Sequence, residues 1–187
     1  MLIKQLIKDC QDCSLFVSQN PVPGEGSTNP KIMLIFEAPG EVEDKQQRPL
    51  VGPAGQELKA ILNELDIGPD ISYLTNVVKH RPPYNRTPTT DEISACAKKF
   101  LVKEIETLKP HIIVCGGKTA IKAICLLQNF EMPIHVRGNA LVYKDIPCIT
   151  TWHPSYVIRQ KEIEYMYKKT RQELKDDIEK AYRMVHG

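Results

Sequence analysis

The stretch KIMLIFEAPG, residues 31–40, decides the fold. Its first six residues form a short apolar run. Turn chemistry bounds it on both sides, Asn29-Pro30 before and Ala38-Pro39-Gly40 after, so the run reads as a buried strand. Working outward, PAGQELKAILNELDIG from Pro53 spaces Leu58, Ile61, Leu62 and Leu65 as a helix does, with proline at its start and Gly68 just past its end. ISYLTNVV (71–78) is a second strand. Thr90 opens the next helix, TTDEISACAKKFLVKEIETL, with a capping residue and early acids, and Pro110 stops it. HIIVCGG (111–117) is a third strand and KTAIKAICLL (118–127) a helix. The hairpin-like ALVYKDIPCITTW (140–152) leads into HPSYVIR (153–159), and residues 162–185 read as one long amphipathic helix.

Strands alternating with helices at this spacing predict an α/β fold, a three-layer α/β/α sandwich around a small central, mainly parallel sheet. With no internal repeat, low-complexity run or linker, residues 1–187 are expected to form a single domain. Ligands of such sheets bind at the carboxyl ends of the strands. Here those ends carry EAPGEVED (37–44), TNVVKHRPPYNR (75–86) and WHPSYVIR (152–159).

Composition excludes several classes. Hydrophobic residues at 42% and charged residues at 26% are ordinary globular usage, which rules out disorder and fibrous folds. A net charge of +2 is compatible with a nucleic acid or a small molecule as partner. No apolar run reaches the ~20 residues of a membrane span. The opening MLIKQLIKDC has a lysine inside its apolar stretch and no small-residue cleavage site. A soluble, cytoplasmic protein without a membrane partner is expected, and a monomer is the simplest assembly.

The six cysteines fall into two groups. Cys115, Cys125 and Cys148 lie in apolar runs, where cysteine behaves as a small buried hydrophobe. Cys10 and Cys13 form a C-x-x-C in a polar segment, a pattern that suits a metal or redox role and needs partners from elsewhere. Cys10, Cys13, His80 and Cys96 make a possible four-ligand set, which by ligand type alone favours a structural zinc.

In order and spacing, these pieces resemble the family 4 uracil-DNA glycosylases over nearly the whole chain: C-x-x-C at 10–13, EAPGEVED, RPLVGPAG at 48–55, TNVVKHRPPYNRTP at 75–88, Cys96 and HPSYVIR. The resemblance implies a monofunctional DNA glycosylase that flips a pyrimidine out of the stack, uracil by default, and hydrolyses its N-glycosidic bond to leave an abasic site. A lyase step is not expected, because no lysine stands in a Schiff-base position. The resemblance also replaces zinc by a [4Fe–4S] cluster on Cys10, Cys13, Cys96 and His80, where the family has a fourth cysteine. Histidine serves as an iron ligand in some clusters.

By the same resemblance, His153 stabilises the departing base anion at a carbonyl oxygen. Glu37 and Glu43 orient water and oppose positive charge on the sugar, with Asn85 as a second water-positioning group. Asn76, whose amide offers both a donor and an acceptor, reads the base edge. Ala38, Pro39, Gly40, Leu50 and Ser155 line the base pocket, and Tyr156, Val157 and Arg159 are expected to wedge or hold the DNA. Two departures bear on the base. Phe36 stands where the family has glycine, and Leu50 where it has the phenylalanine that stacks on the flipped base. With Gly40 at the place of a bulkier residue, these changes allow either a pocket open to a 5-modified pyrimidine or one refilled by Phe36. A DNA-binding or abasic-site-binding protein without turnover is the remaining alternative. An Arg-rich insertion after VKH, which marks the covalently trapping branch, is absent.

Overall fold

The computed structural model describes residues 2–16, 20–138 and 140–186. In chain order the elements are α1 (Leu2–Lys8), β1 (Glu25–Gly26), β2 (Ile32–Phe36), α2 (Glu41–Gln46), α3 (Pro53–Glu64), β3 (Ser72–Asn76), α4 (Thr90–Cys96), α5 (Val102–Leu108), β4 (Ile112–Gly116), α6 (Lys118–Gln128), β5 (Ala140–Tyr143), β6 (Ile146–Thr151), α7 (Pro154–Arg159) and α8 (Glu164–His186). The described strands form one six-stranded sheet in the order β1-β3-β2-β4-β6-β5. Its four central strands are mutually parallel, and β1 and β5 close the edges antiparallel. The mainly parallel α/β sandwich expected from the sequence is therefore the observed architecture.

Strand β2 is buried along its whole length because both of its faces are covered. Met33 and Ile35 join one apolar cluster with Ile93, Phe100 and Ile121 of the α4–α6 layer. Ile32, Leu34 and Phe36 join the other, with Leu58, Val157 and Leu174 of α3, α7 and α8. Arg171 of α8 braces the second layer, bonded to Glu57 (2.8 Å) and to Glu64 of α3.

Four local features differ from the sequence reading. The helix opening at Thr90 has the expected cap, Thr89 and Glu92 forming a reciprocal capping box, but it passes through a π-helical segment, Ala97–Leu101, before α5. HPSYVIR is itself a short helix, α7, and EVEDKQ is another, α2. The long C-terminal helix begins at Glu164.

The chain moves from β2 to β3 on one side and then returns to place β4 on the other. Strand order thus reverses between β2 and β4, and the loops that follow those two strands diverge there. A crevice at that point is where open α/β sheets hold ligands.

Candidate active site

A cavity of about 960 Å³ opens at this reversal, lined by the segments 37–43 and 117–119, parts of 50–55, 82–87 and 152–159, and Asn76. Most of the sequence-predicted site residues meet here. Glu37, Ala38, Pro39 and Gly40 follow β2, Asn76 ends β3, and His153, Ser155, Tyr156 and Arg159 sit on or beside α7.

Asn76 is the most informative of them. It pairs with Phe36 across β3 and β2, which fixes its backbone at the sheet's carboxyl edge. Its side chain is 1% exposed, and neither the amide nitrogen nor the amide oxygen has a hydrogen-bond partner. A buried amide with both atoms unpaired costs free energy in the empty site and awaits a ligand edge that supplies an acceptor and a donor. Its carbonyl is held from behind, where Lys79 Nζ donates to Asn76 O (2.8 Å).

Lys79 is one half of a buried ion pair that sequence reading did not find. It and Glu104 are both 0% exposed, with Nζ 2.7 Å from the Glu104 carboxylate and 2.7 Å from Thr75 Oγ1. Thr75 and Tyr73 also donate to Glu104. No sequence periodicity signals such a pair, since its members lie on a loop and on α5.

His153 opens onto the cavity on one side and is packed by protein on the rest. Its Nδ1 accepts the Ser155 backbone N–H at 3.0 Å, so the neutral ring carries its proton on Nε2 as a free donor. Burial, with the Arg159 guanidinium as a second cause, lowers the imidazole pKa to about 4. Gly117 has φ +88°, and a Cβ there would lie 2.9 Å from His153 Cβ, so the backbone approaches the histidine as only glycine allows. Phe36 meets the same ring edge-on and packs against Gly116. It is fully buried and is not among the cavity-lining residues, so it does not refill the space at Leu50.

The two candidate acids are arranged differently. Glu37 faces the cavity and accepts a hydrogen bond from the Thr119 hydroxyl, a partner that the sequence did not suggest. Glu43 accepts from the backbone N–H groups of Gly40 (3.1 Å), Val51 (3.0 Å) and Gly52 (2.6 Å). It clamps the loop after β2 to the turn before α3, so its oxygens are committed to the backbone. The same carboxylate would lie 2.8 Å from a Cβ on Gly40, so the space beside that glycine is filled rather than open. Leu50 lines the cavity with φ +56°.

Asn85 lies on an exposed turn at the rim, and its Oδ1 accepts from Arg81 Nε at 2.7 Å. Ser155 accepts from Arg159 through its hydroxyl. Tyr156 packs against Trp152 with ring centroids 4.8 Å apart. Val157, expected at the DNA surface, is fully buried against α3 and α8 and presents nothing to solvent. That expectation is corrected: on a six-residue helix packed against α3 and α8, this position faces the core.

The candidate metal residues lie apart from the cavity. Cys10 follows α1, Cys96 ends α4, and both are buried, while Cys13 is half-buried. Burial, with Cys13 and Cys10 as further causes, pushes the Cys96 thiol up to about 12, against the charge of Lys79 and the Lys79 amide that bonds its sulfur. Burial likewise raises Cys13, and Cys10 adds to it. The three thiols thus share one neighbourhood, and Lys99 of the π segment ties it to Asp12 (2.7 Å). His80 is buried, which lowers its imidazole pKa, and Asp44 is the charged group that opposes this. Among the described residues no three His, Cys, Asp or Glu side chains are arranged to hold a single metal ion. Three neighbouring soft thiols, two buried and one half-buried, fit an iron–sulfur cluster in ligand type.

A family model described as "Uracil DNA glycosylase superfamily" matches residues 23–179. The chain is 40% identical over 185 residues to a type-4 uracil-DNA glycosylase of Thermotoga maritima, spanning 96% of this chain and 91% of that one. It is 40% identical over 182 residues to the type-4 enzyme of Sulfurisphaera tokodaii, 91% and 82% of the two chains. With the type-4 enzyme of Saccharolobus solfataricus it shares 37% over 186 residues, 95% and 85%.

Proposed function

Since the chain belongs to the uracil-DNA glycosylase superfamily, in its type-4 branch, we propose that it hydrolyses the N-glycosidic bond of uracil in DNA and leaves an abasic site. The observation that carries this reading is Asn76, a buried amide with both polar atoms unpaired at the wall of a cavity. Uracil offers O4 as an acceptor and N3–H as a donor side by side, the complement of one carboxamide. A base reaches such a site only by leaving the stack.

The chemistry asked of the residues is charge stabilisation on both sides of one bond. As the C1′–N1 bond breaks, its electron pair goes to the base, and the sugar becomes cationic. His153, neutral and protonated on Nε2, donates to the base oxygen where negative charge grows. A neutral donor fits a site whose buried imidazole has a pKa of about 4. Glu37, oriented by Thr119, holds the attacking water and faces the sugar's positive charge; the water oxygen joins C1′ and its proton leaves to the carboxylate. Glu43 acts on this loop as a backbone clamp. Arg159 supplies positive charge for a phosphodiester at the cavity edge.

Cys10, Cys13 and Cys96, with His80 as the fourth ligand, would hold a [4Fe–4S] cluster that ties the N-terminal segment to the chain following β3.

A release assay with single- and double-stranded oligonucleotides containing uracil, thymine or a 5-modified pyrimidine tests the reading. Free uracil and an alkali-labile site are expected from the uracil substrate. Faster release of a 5-modified base, or DNA binding without release, would replace it.

A further inference from the structure

We propose that Tyr84 is a stacking platform for a nucleobase next to the one that enters the cavity; this rests on the glycosylase reading and adds a DNA contact to it. The ring is 99% exposed and has no hydrogen bond or ring contact among the described residues. Its backbone is unusual in the same way, with Tyr84 at φ +55° and Asn85 also at φ +55°. A bulky residue rarely adopts this left-handed conformation, and the cheap residue for it is glycine. The turn therefore carries an aromatic side chain where local energetics favours none, and it spends that side chain on solvent.

The turn is held firmly in this shape. Pro82 and Pro83 enter it, Asn85 N–H bonds Pro82 O at 3.1 Å, and Arg81 bonds Asn85 Oδ1 at 2.7 Å. On the far side Arg86 makes a two-point contact with Glu92, at 2.8 and 2.7 Å. A ring presented by a rigid turn loses little freedom on binding.

Location identifies the occupant. Pro82, Asn85 and Arg86 line the cavity, so the ring between them stands at its rim. Lys118 and Arg159 line the same cavity and make no ion pair among the described residues, which suits a strand of phosphodiesters running past it. A nucleotide that leaves the stack exposes the face of its neighbour. An aromatic ring covers such a face without regard to sequence.

The test compares wild type with Tyr84→Gly, which keeps the backbone conformation and removes the ring, and with Tyr84→Phe, which keeps the ring. Each is titrated with single-stranded oligonucleotides carrying an abasic-site analogue flanked by fluorescent 2-aminopurine, on the 5′ side in one and the 3′ side in another. Tyr84→Gly is expected to bind roughly 5- to 150-fold more weakly. Wild type and Tyr84→Phe are expected to quench one of the two probes, and Tyr84→Gly neither. Equal binding and quenching by Tyr84→Gly would overturn the proposal, as would a loss equal in Tyr84→Phe and Tyr84→Gly, which would assign the contact to the hydroxyl. A wild type that binds these oligonucleotides and releases uracil, yet shows no effect of Tyr84→Gly, refutes this proposal alone. A wild type that binds no DNA refutes the glycosylase reading with it.

Discussion

The ring of Phe36 meets the ring of His153 edge-on, with centroids 5.5 Å apart and planes at 84°. Phe36 ends β2, and its other side fills the space left by Gly116, where a Cβ would lie 2.3 Å from the phenyl ring. The phenylalanine therefore stands behind the histidine as a wall. Edge-to-face contact of this kind adds to burial and prefers one ring orientation.

Phe36→Gly is accordingly expected to destabilise the fold by about 3–5 kcal/mol, the range for emptying a buried aromatic site. It should also lower the rate of uracil release beyond what unfolding explains, because His153 loses its support. Chemical denaturation measures the first, and single-turnover release at a temperature where the variant is folded measures the second. Leu50→Phe, which changes a cavity-lining residue, should leave stability nearly unaltered.

The His153 imidazole is expected to titrate near pH 4 in the folded protein, against ~6.5 in the unfolded chain. Between those values the folded state binds fewer protons. The stability contribution is therefore complete above pH ~6.5 and declines as pH falls toward 4. NMR titration of the ring protons reads the midpoint directly. Uracil release should show no loss across pH 6–7 that His153 protonation would cause.

The Lys79–Glu104 pair should behave as an all-or-none unit. Lys79→Met leaves the Glu104 carboxyl group fully buried without its partner, with an expected loss of about 3–5 kcal/mol. Combining it with Glu104→Leu should recover a large part of that loss. Denaturation of the two variants checks it, and a double variant as unstable as the single would show that the charges are not coupled.

Iron content tests the cluster. The protein as isolated should be brown, absorbing broadly near ~400 nm, and Cys96→Ala should abolish the colour. His80→Cys should retain iron, and His80→Ala should lose it or hold it only without oxygen. A colourless protein with stoichiometric zinc would overturn the assignment.

Most of the fold was legible because it rests on local signals. KIMLIF, the proline at 53 and the capping residues near Thr90 each announce an element by short-range chemistry. The motif residues at the strand ends then converge once the strands are parallel. What escaped depends on direction and distance. Whether Phe36 points into the cavity or behind His153 is decided by Gly116, 80 residues on, and by the face of β2 that Phe36 shares with Leu34. No short-range signal in HPSYVIR announces a helix, and α7 turns the Val157 side chain into the core. The partner of Glu37 is Thr119, on the first turn of α6, and no spacing rule links the two.

The most direct measurement is single-turnover release of uracil from an oligonucleotide by wild type, Asn76→Ala and His153→Ala. The account predicts release by wild type with no strand break before alkali. Asn76→Ala should be slower by on the order of 10- to 100-fold, from two lost hydrogen bonds. His153→Ala should be slower by on the order of 10²–10³, from one lost anion-stabilising donor, with binding to an abasic-site oligonucleotide nearly intact. A wild type inactive on uracil, or both variants releasing it at the wild-type rate, would contradict the account.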